Sequence, residues 1–392
     1  MTQYLKVISP LFFAVVALLS CKKGEDEILK GAKKLPCYIT ENMTLSNHND
    51  DGVDYVAECT VEVASGTLTI EPGTTVEFPE GTYLWINNNA ILRASGTSDK
   101  PILLKSTADG VYWDGILVTS ASAQNQLIFT NILNGGLNLT FGDITTTFGE
   151  QGDKSRAAAV VCNGRLRMEN CSVKNGRGDG VLLGNNADIL GFSNNIIENN
   201  NGYPLRTYMG LLSKLNLKSC TMANNRDNFV ALYSISSNEE VPDAVNIEGI
   251  TVPYMAISML DCKSGLELEA GTTMYFKTET ALIAHGFITA RGTAASPVVL
   301  RGLSSGAGAW GGVIAASNDI RNELAYCYVS DGGQFETLFA APKANIVAYY
   351  DSRLKLVNCR STAFDGCGVA VSSSANFGNQ SPEISNDLIC TF

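Results

Sequence analysis

A chain of 392 residues with 28 basic and 39 acidic side chains carries a formal charge of −11. Its lysines and arginines are scattered, which excludes the clustered basic surface that nucleic acid needs. With two histidines, His48 and His285, and no C-x-x-C pair among its cysteines, the composition gives poor support for zinc, and neither metal nor cofactor is expected.

Residues 1–20 hold a single charge, Lys6, and Leu11 to Leu19 is apolar but too short to span a bilayer comfortably. That combination reads as a secretory signal. It ends in Leu18-Leu19-Ser20-Cys21, which resembles the lipobox of bacterial lipoproteins; the alternative for a lone cysteine is a core thiol. The resemblance implies cleavage before Cys21 and acylation of its thiol, so that the membrane is a partner through lipid, at about 0.8 kcal/mol per buried CH₂.

Residues 21–36 form the expected flexible tether, because Lys22-Lys23-Gly24-Glu25-Asp26-Glu27 is too charged to collapse onto a core. The stretch resembles the acidic surface-export signal of Bacteroidota lipoproteins. It implies an outer-membrane protein displayed at the cell surface, with a periplasm-facing location as the alternative. Cys37 to Ala64 is less regular than the chain beyond it and is expected to cap the N-terminal end, with a Cys37–Cys59 bridge conceivable across it.

Beyond Ala64 the chain repeats itself. GTLTIEPGTTVEF at 66–78 matches GLELEAGTTMYF at 265–276, Pro101 matches Pro297, and Trp113-Asp-Gly115-Ile116 matches Trp310-Gly-Gly312-Val313. NQLIFTNILNGG from Asn125 matches NELAYCYVSDGG from Asn322, and Asn170-Cys171 matches Asn358-Cys359. The division is a first copy at 37–245 and a second at 246–392, continuous with it across a short polar break at Asn238 to Val241. Residues 137–156 read as a loop inserted on one coil.

A shorter period of about 24 residues lies inside the long one, marked by Asn170, Asn194 and Ser219 and again by Asn175, Asn199 and Asn224. Between these marks, apolar and polar residues alternate over short runs such as Leu166-Arg-Met168, and period two is the signature of strands. Short strands at a fixed period cannot bury their apolar faces alone and must stack on their neighbours. An all-β fold is the result, a right-handed parallel β-helix of about 11 to 13 coils. A propeller needs about 40 to 50 residues per blade, and a sandwich pair leaves the short period unexplained. The asparagines are expected to stack their side-chain amides at the turns, and the matched Trp113 and Trp310 to serve packing.

The motifs G-x-L-x-I-E-P-G-T, G-T-x-x-x-P-I and W-x-G-I, followed by N-x-L-x-x-x-x-I-x-x-G-G, resemble the repeat pattern of right-handed parallel β-helix lipoproteins of Bacteroidota. The resemblance implies a fold and an envelope location, and no defined reaction. Ala270 departs from it where the first copy has Pro72.

Function has to be read from side chains. In Thr82-Tyr83-Leu84-Trp85-Ile86 the alternation turns Leu84 and Ile86 inward and Tyr83 and Trp85 outward, where aromatic faces can stack on sugar rings. A hydrolase on this scaffold would need two facing carboxylates about 5 to 9.5 Å apart, and a lyase a base beside acidic calcium ligands. Lys174 and Glu198 share a phase on adjacent coils with Asp179 at the following turn, a small polar patch whose simplest reading is a surface ion pair. Enzymatic activity is therefore not favoured. The expected function is a non-catalytic display or binding scaffold, for glycan, with a polysaccharide lyase or glycoside hydrolase and an envelope protein that binds other proteins as alternatives.

Overall fold

A computed structural model describes residues 31–49, 52–136, 138, 157–234, 244–335 and 341–392. The signal segment, Cys21, residues 139–156 of the expected inserted loop and the break at Asn238 to Val241 lie outside the described residues. Among those described, strands of two to six residues alternate inward and outward side chains, as in Ile102–Ser106, where Ile102, Leu104 and Ser106 are buried and Leu103 and Lys105 are not. Each strand pairs in parallel with the strand one coil away, and the described strands assemble into sheets of eight, thirteen, six, six and six. The protein is a parallel β-helix solenoid.

The thirteen-stranded sheet, here termed the spine, runs from Tyr38–Ile39 to Arg360–Thr362 and takes one strand from each coil between them. It joins the two copies directly, since Val230–Tyr233 pairs with Tyr254–Ala256. The other walls change at that point. The eight-stranded sheet ends at Thr221–Ala223 and one six-stranded sheet at Asp188–Ser193, while new sheets begin at Val245–Ile247 and Leu260–Cys262. Two 3₁₀ turns, Met209–Lys214 and Leu217–Ser219, occupy the wall between.

The change of walls displaces the second copy relative to the first. Thr75–Phe78 lies in the eight-stranded sheet, but its counterpart Thr273–Phe276 lies in the spine, and Tyr83–Ile86 of the spine corresponds to Leu282–Ala284 of a different sheet. The second copy continues the first but is turned by one face.

The interior is one apolar column of leucine, isoleucine, valine and alanine. Each copy closes a corner in the same way: Trp113 stacks on Phe78 at 4.4 Å and Trp310 on Phe276 at 3.9 Å. Their indole N–H groups donate to Leu133 O at 2.9 Å and Ser330 O at 2.7 Å, so each tryptophan fills volume and leaves no buried donor unpaired.

The asparagines divide into two roles. Asn170, Asn175, Asn194, Asn199 and Asn224 all have φ between 54° and 58°, the left-handed conformation that asparagine adopts cheaply at a tight corner. They do not form the amide ladder expected of them. That ladder belongs to the residues immediately after them. Asn195 Oδ1 accepts from Cys171 N at 3.0 Å, Asn200 Oδ1 from Gly176 N at 2.9 Å, and Asn225 Oδ1 from Asn200 N at 3.0 Å. A left-handed residue turns the chain inward, so it is the next side chain that enters the corner and meets the neighbouring coil.

The N-terminal segment is also more regular than expected. Lys33–Lys34 already pairs with Tyr55–Val56, and Met43–Leu45 with the Thr67–Ile70 strand, so residues 37–64 are themselves coils, and of the expected tether residues 33–34 are paired while 21–30 lie outside the described residues. Cys37 and Cys59 form a disulfide between these first coils. A second disulfide, Cys367–Cys390, fastens the last, and the segment after Gln380 lays buried Ile384 over the end of the core. Cys171 and Cys220 remain free.

Candidate binding face

Because the spine alternates, its outward side chains line up in columns from coil to coil, and one of these runs the length of the sheet. At the N-terminal end the register sets Tyr38 beside Glu62, Glu62 beside Trp85, and Trp85 beside Leu117. Tyr38 is 61% exposed, and Tyr83 and Trp85 are half-buried. Trp85 Nε1 donates to Thr119 Oγ1 at 2.9 Å, and Tyr83 packs on Ala158, Val161 and Leu182. These two rings therefore point outward as a partly covered pair held in place by neighbours, less open than the alternation alone suggests.

The middle of the column is buried: Val161, Leu182, Arg206, Ala231 and Met255. A cluster of Tyr203, Tyr233 and Ile257, with Tyr208, Phe229 and Tyr275 at its edge, packs with Ala231 and Met255. Inside this layer Arg206 donates through Nε to Asp179 Oδ2 at 2.9 Å and also through Nη2, while Tyr203 N donates to Asp179 Oδ1 at 2.8 Å. The Arg206 and Asp179 side chains are 5% and 0% exposed. The Arg206 guanidinium and Lys277 Nζ both approach the Tyr203 ring, at 5.8 and 5.9 Å. Tyr233 donates to Leu183 O at 2.5 Å, and burial pushes its hydroxyl above the usual phenol range.

Asp179 therefore does not join Lys174 and Glu198. Those two pair across adjacent coils of the eight-stranded sheet, Nζ to Oε2 at 3.2 Å, partly open to solvent, an interaction worth at most about 1 kcal/mol. The turn through left-handed Asn175 carries the chain around a corner between them, so Asp179 starts a strand of the spine. Arg206 lies outside the sequence expectations. The signal available for it is its position between inward Leu205 and Thr207 in a spine strand, which turns a charge outward one coil from Asp179.

At the C-terminal end the column opens again. Tyr275 is followed by Arg301 in the next coil, and beside them Tyr328 is followed by Arg360. The Arg301 guanidinium lies 5.7 Å from the Tyr275 ring centre and that of Arg360 lies 4.6 Å from Tyr328. Arg301 faces Asp331 at 3.6 Å, and Arg360 pairs with Glu383 at 2.8 Å.

Reactive groups are sparse. Burial pushes the thiols of Cys162, Cys171 and Cys262 up to about 12, which removes thiolate nucleophiles at neutral pH. Among the described residues no group of three or more histidine, cysteine or acidic side chains could hold a metal ion. A cavity of about 370 Å³ lies where the eight-stranded sheet ends, lined by Leu217, Met222, Ile250 and Val252. Among the described residues no helix is long and apolar enough to cross a membrane.

The fold and this face together define a solenoid with one continuous outer wall, open at both ends and covered in the middle. No family model, curated protein or solved structure matches the chain.

Proposed function

We propose that the protein is a cell-envelope lipoprotein, held by lipid on Cys21 in the outer membrane, that presents the outer wall of the spine to glycan without transforming it. The observation that supports this reading is the outward column itself, which places aromatic rings at both of its open ends on one flat, rigid sheet. Rings fixed on strands of one sheet, Tyr83 with Trp85 on the same strand and Tyr38 two coils away from them at about 10 Å, suit sugar rings better than a flexible loop does, because little side-chain entropy is lost on contact.

The test is retention of the full chain, held in detergent micelles, on a glycan array and in polysaccharide gels, with release of new sugar ends assayed in parallel. Tyr83→Ala with Trp85→Ala should weaken retention at least tenfold. Unchanged retention removes that end of the wall as a binding site, and release of new ends replaces the binding reading by a lyase or hydrolase. Metabolic labelling with palmitate should mark the chain and be lost in Cys21→Ser.

A further inference from the structure

The duplication supplies an internal control for the surface. Four successive coils of the second copy place four residues on the outside of the spine as two staggered pairs, Tyr275 beside Arg301 in one column and Tyr328 beside Arg360 in the column two residues along the strand. The same four positions of the first copy are Glu77, Lys105, Asn131 and Ser172. There the fold closes the positions on themselves: Lys105 Nζ meets Glu77 at 2.9 Å, and Ser172 Oγ donates to Asn131 at 2.7 Å. Coil stacking is satisfied by an acid, an amine, an amide and a hydroxyl, so it does not require the tyrosines or arginines that replace them.

The replacement changes what the surface offers. Where Glu77 neutralises Lys105 across adjacent coils, Tyr275 gives Arg301 a ring face in place of the carboxylate, and the nearest acid, Asp331, stays at 3.6 Å. A guanidinium lying on a ring keeps N–H groups directed sideways, in the fork that matches a carboxylate. Arg301 Nε is buried and stays 3.6 Å from Asp331 without a hydrogen bond, whereas the side chain as a whole is 38% exposed, so the terminal N–H groups of the guanidinium are the donors left for a ligand. Arg360 is tied to Glu383 through Nε and Nη2, which fixes the second guanidinium on Tyr328.

We infer that the Tyr275–Arg301–Tyr328–Arg360 row is a subsite for an acidic sugar residue, its ring stacked on a tyrosine and its carboxylate or sulfate held by Arg301. The inference rests on the reading that the spine's outer wall binds glycan, and it names the class of glycan. Asp331 and Glu383 lie beside the two guanidiniums, so on a chain of net charge −11 the row is locally neutral and offers directed N–H donors beside aromatic faces. An acidic polymer would be repelled by the protein as a whole and accepted at this place, so the overall charge adds selectivity.

The full chain in detergent micelles is run by affinity electrophoresis through polygalacturonate, alginate and heparin. Fully methyl-esterified polygalacturonate serves as control, having the same sugar backbone without the charge. Retardation should be at least tenfold stronger in one of the acidic polymers than in the ester, and should fall as salt is raised. Arg301→Gln and Tyr328→Ala should each lose at least tenfold of it with an unchanged circular dichroism spectrum, and Arg301→Lys should recover part. Equal retardation by acid and ester, or full retardation in both variants, overturns the acidic subsite and leaves glycan binding standing. Absence of retardation by all three acidic polymers overturns it as well, and absence with neutral glucan and xylan too removes the underlying glycan reading.

Discussion

Replacing Arg206 by methionine isolates the buried charge at the centre of the wall. The change keeps length and apolar volume but deprives Oδ2 of fully buried Asp179 of both guanidinium contacts, while Oδ1 keeps the N–H of Tyr203. Removing one partner of a buried pair costs about 3–5 kcal/mol, since the remaining charge stays desolvated. Adding Asp179→Asn should return much of that loss, because a neutral amide can still accept from Tyr203 N and no charge is stranded. The assay is urea unfolding of the four members of the cycle, with hydrogen exchange at Asp179–Leu183 and Leu205–Tyr208 to locate the opening, as a solenoid loosens coil by coil and not all at once. A double variant as unstable as the sum of the two single ones would refute the reasoning, for it would show that Asp179 and Arg206 do not depend on each other.

Trp310→Ala removes a fully buried stacked ring and should cost about 3–5 kcal/mol, with exchange protection lost first around Phe276 and Ser330; protection lost equally in the first copy would contradict the corner role. Asn200→Leu leaves Gly176 N and neighbouring groups of the ladder unpaired in the interior, a loss of about 1–3 kcal/mol read from the urea midpoint. Cys162, Cys171 and Cys262, with thiols raised to about 12 by burial, should resist alkylation at pH 8 while half-buried Cys220 reacts first, as mapped by peptide mass spectrometry. Because their folded values lie above the ordinary thiol value of 9.0, the stability they contribute is complete below pH 9 and falls as pH rises toward 12; thermal melts with a flat midpoint across that window would contradict this.

The coil architecture is legible because it is written in local rules: alternation in Leu166-Arg-Met168, asparagine at corners, and a tryptophan recurring in each copy. The Cys37–Cys59 pairing is within reach because both residues fall in one short segment. The amide ladder lies one residue later than the repeating asparagines suggest, since sequence shows where asparagines recur and not which of two neighbours is left-handed. The partial cover of Tyr83 comes from Ala158, Val161 and Leu182, residues of later coils that no local pattern brings near. Likewise, closeness in sequence suggests Lys174 as the neighbour of Asp179, whereas a corner separates them and the stacking of coils joins Asp179 to Arg206.

The turn of the second copy by one face decides which ancestral positions end up sharing a horizon. Had the duplicate been laid down in register, the Tyr275 row would look out from the same side as Glu77, with Trp85 around the corner from both. The offset brings counterparts of two different faces into one column, so Trp85 and Tyr275 lie on the same sheet at its two ends with the buried Val161-to-Met255 stretch between them. A tandem copy laid down with this offset is not merely a longer rod, since the same repeat position faces a different side in each half.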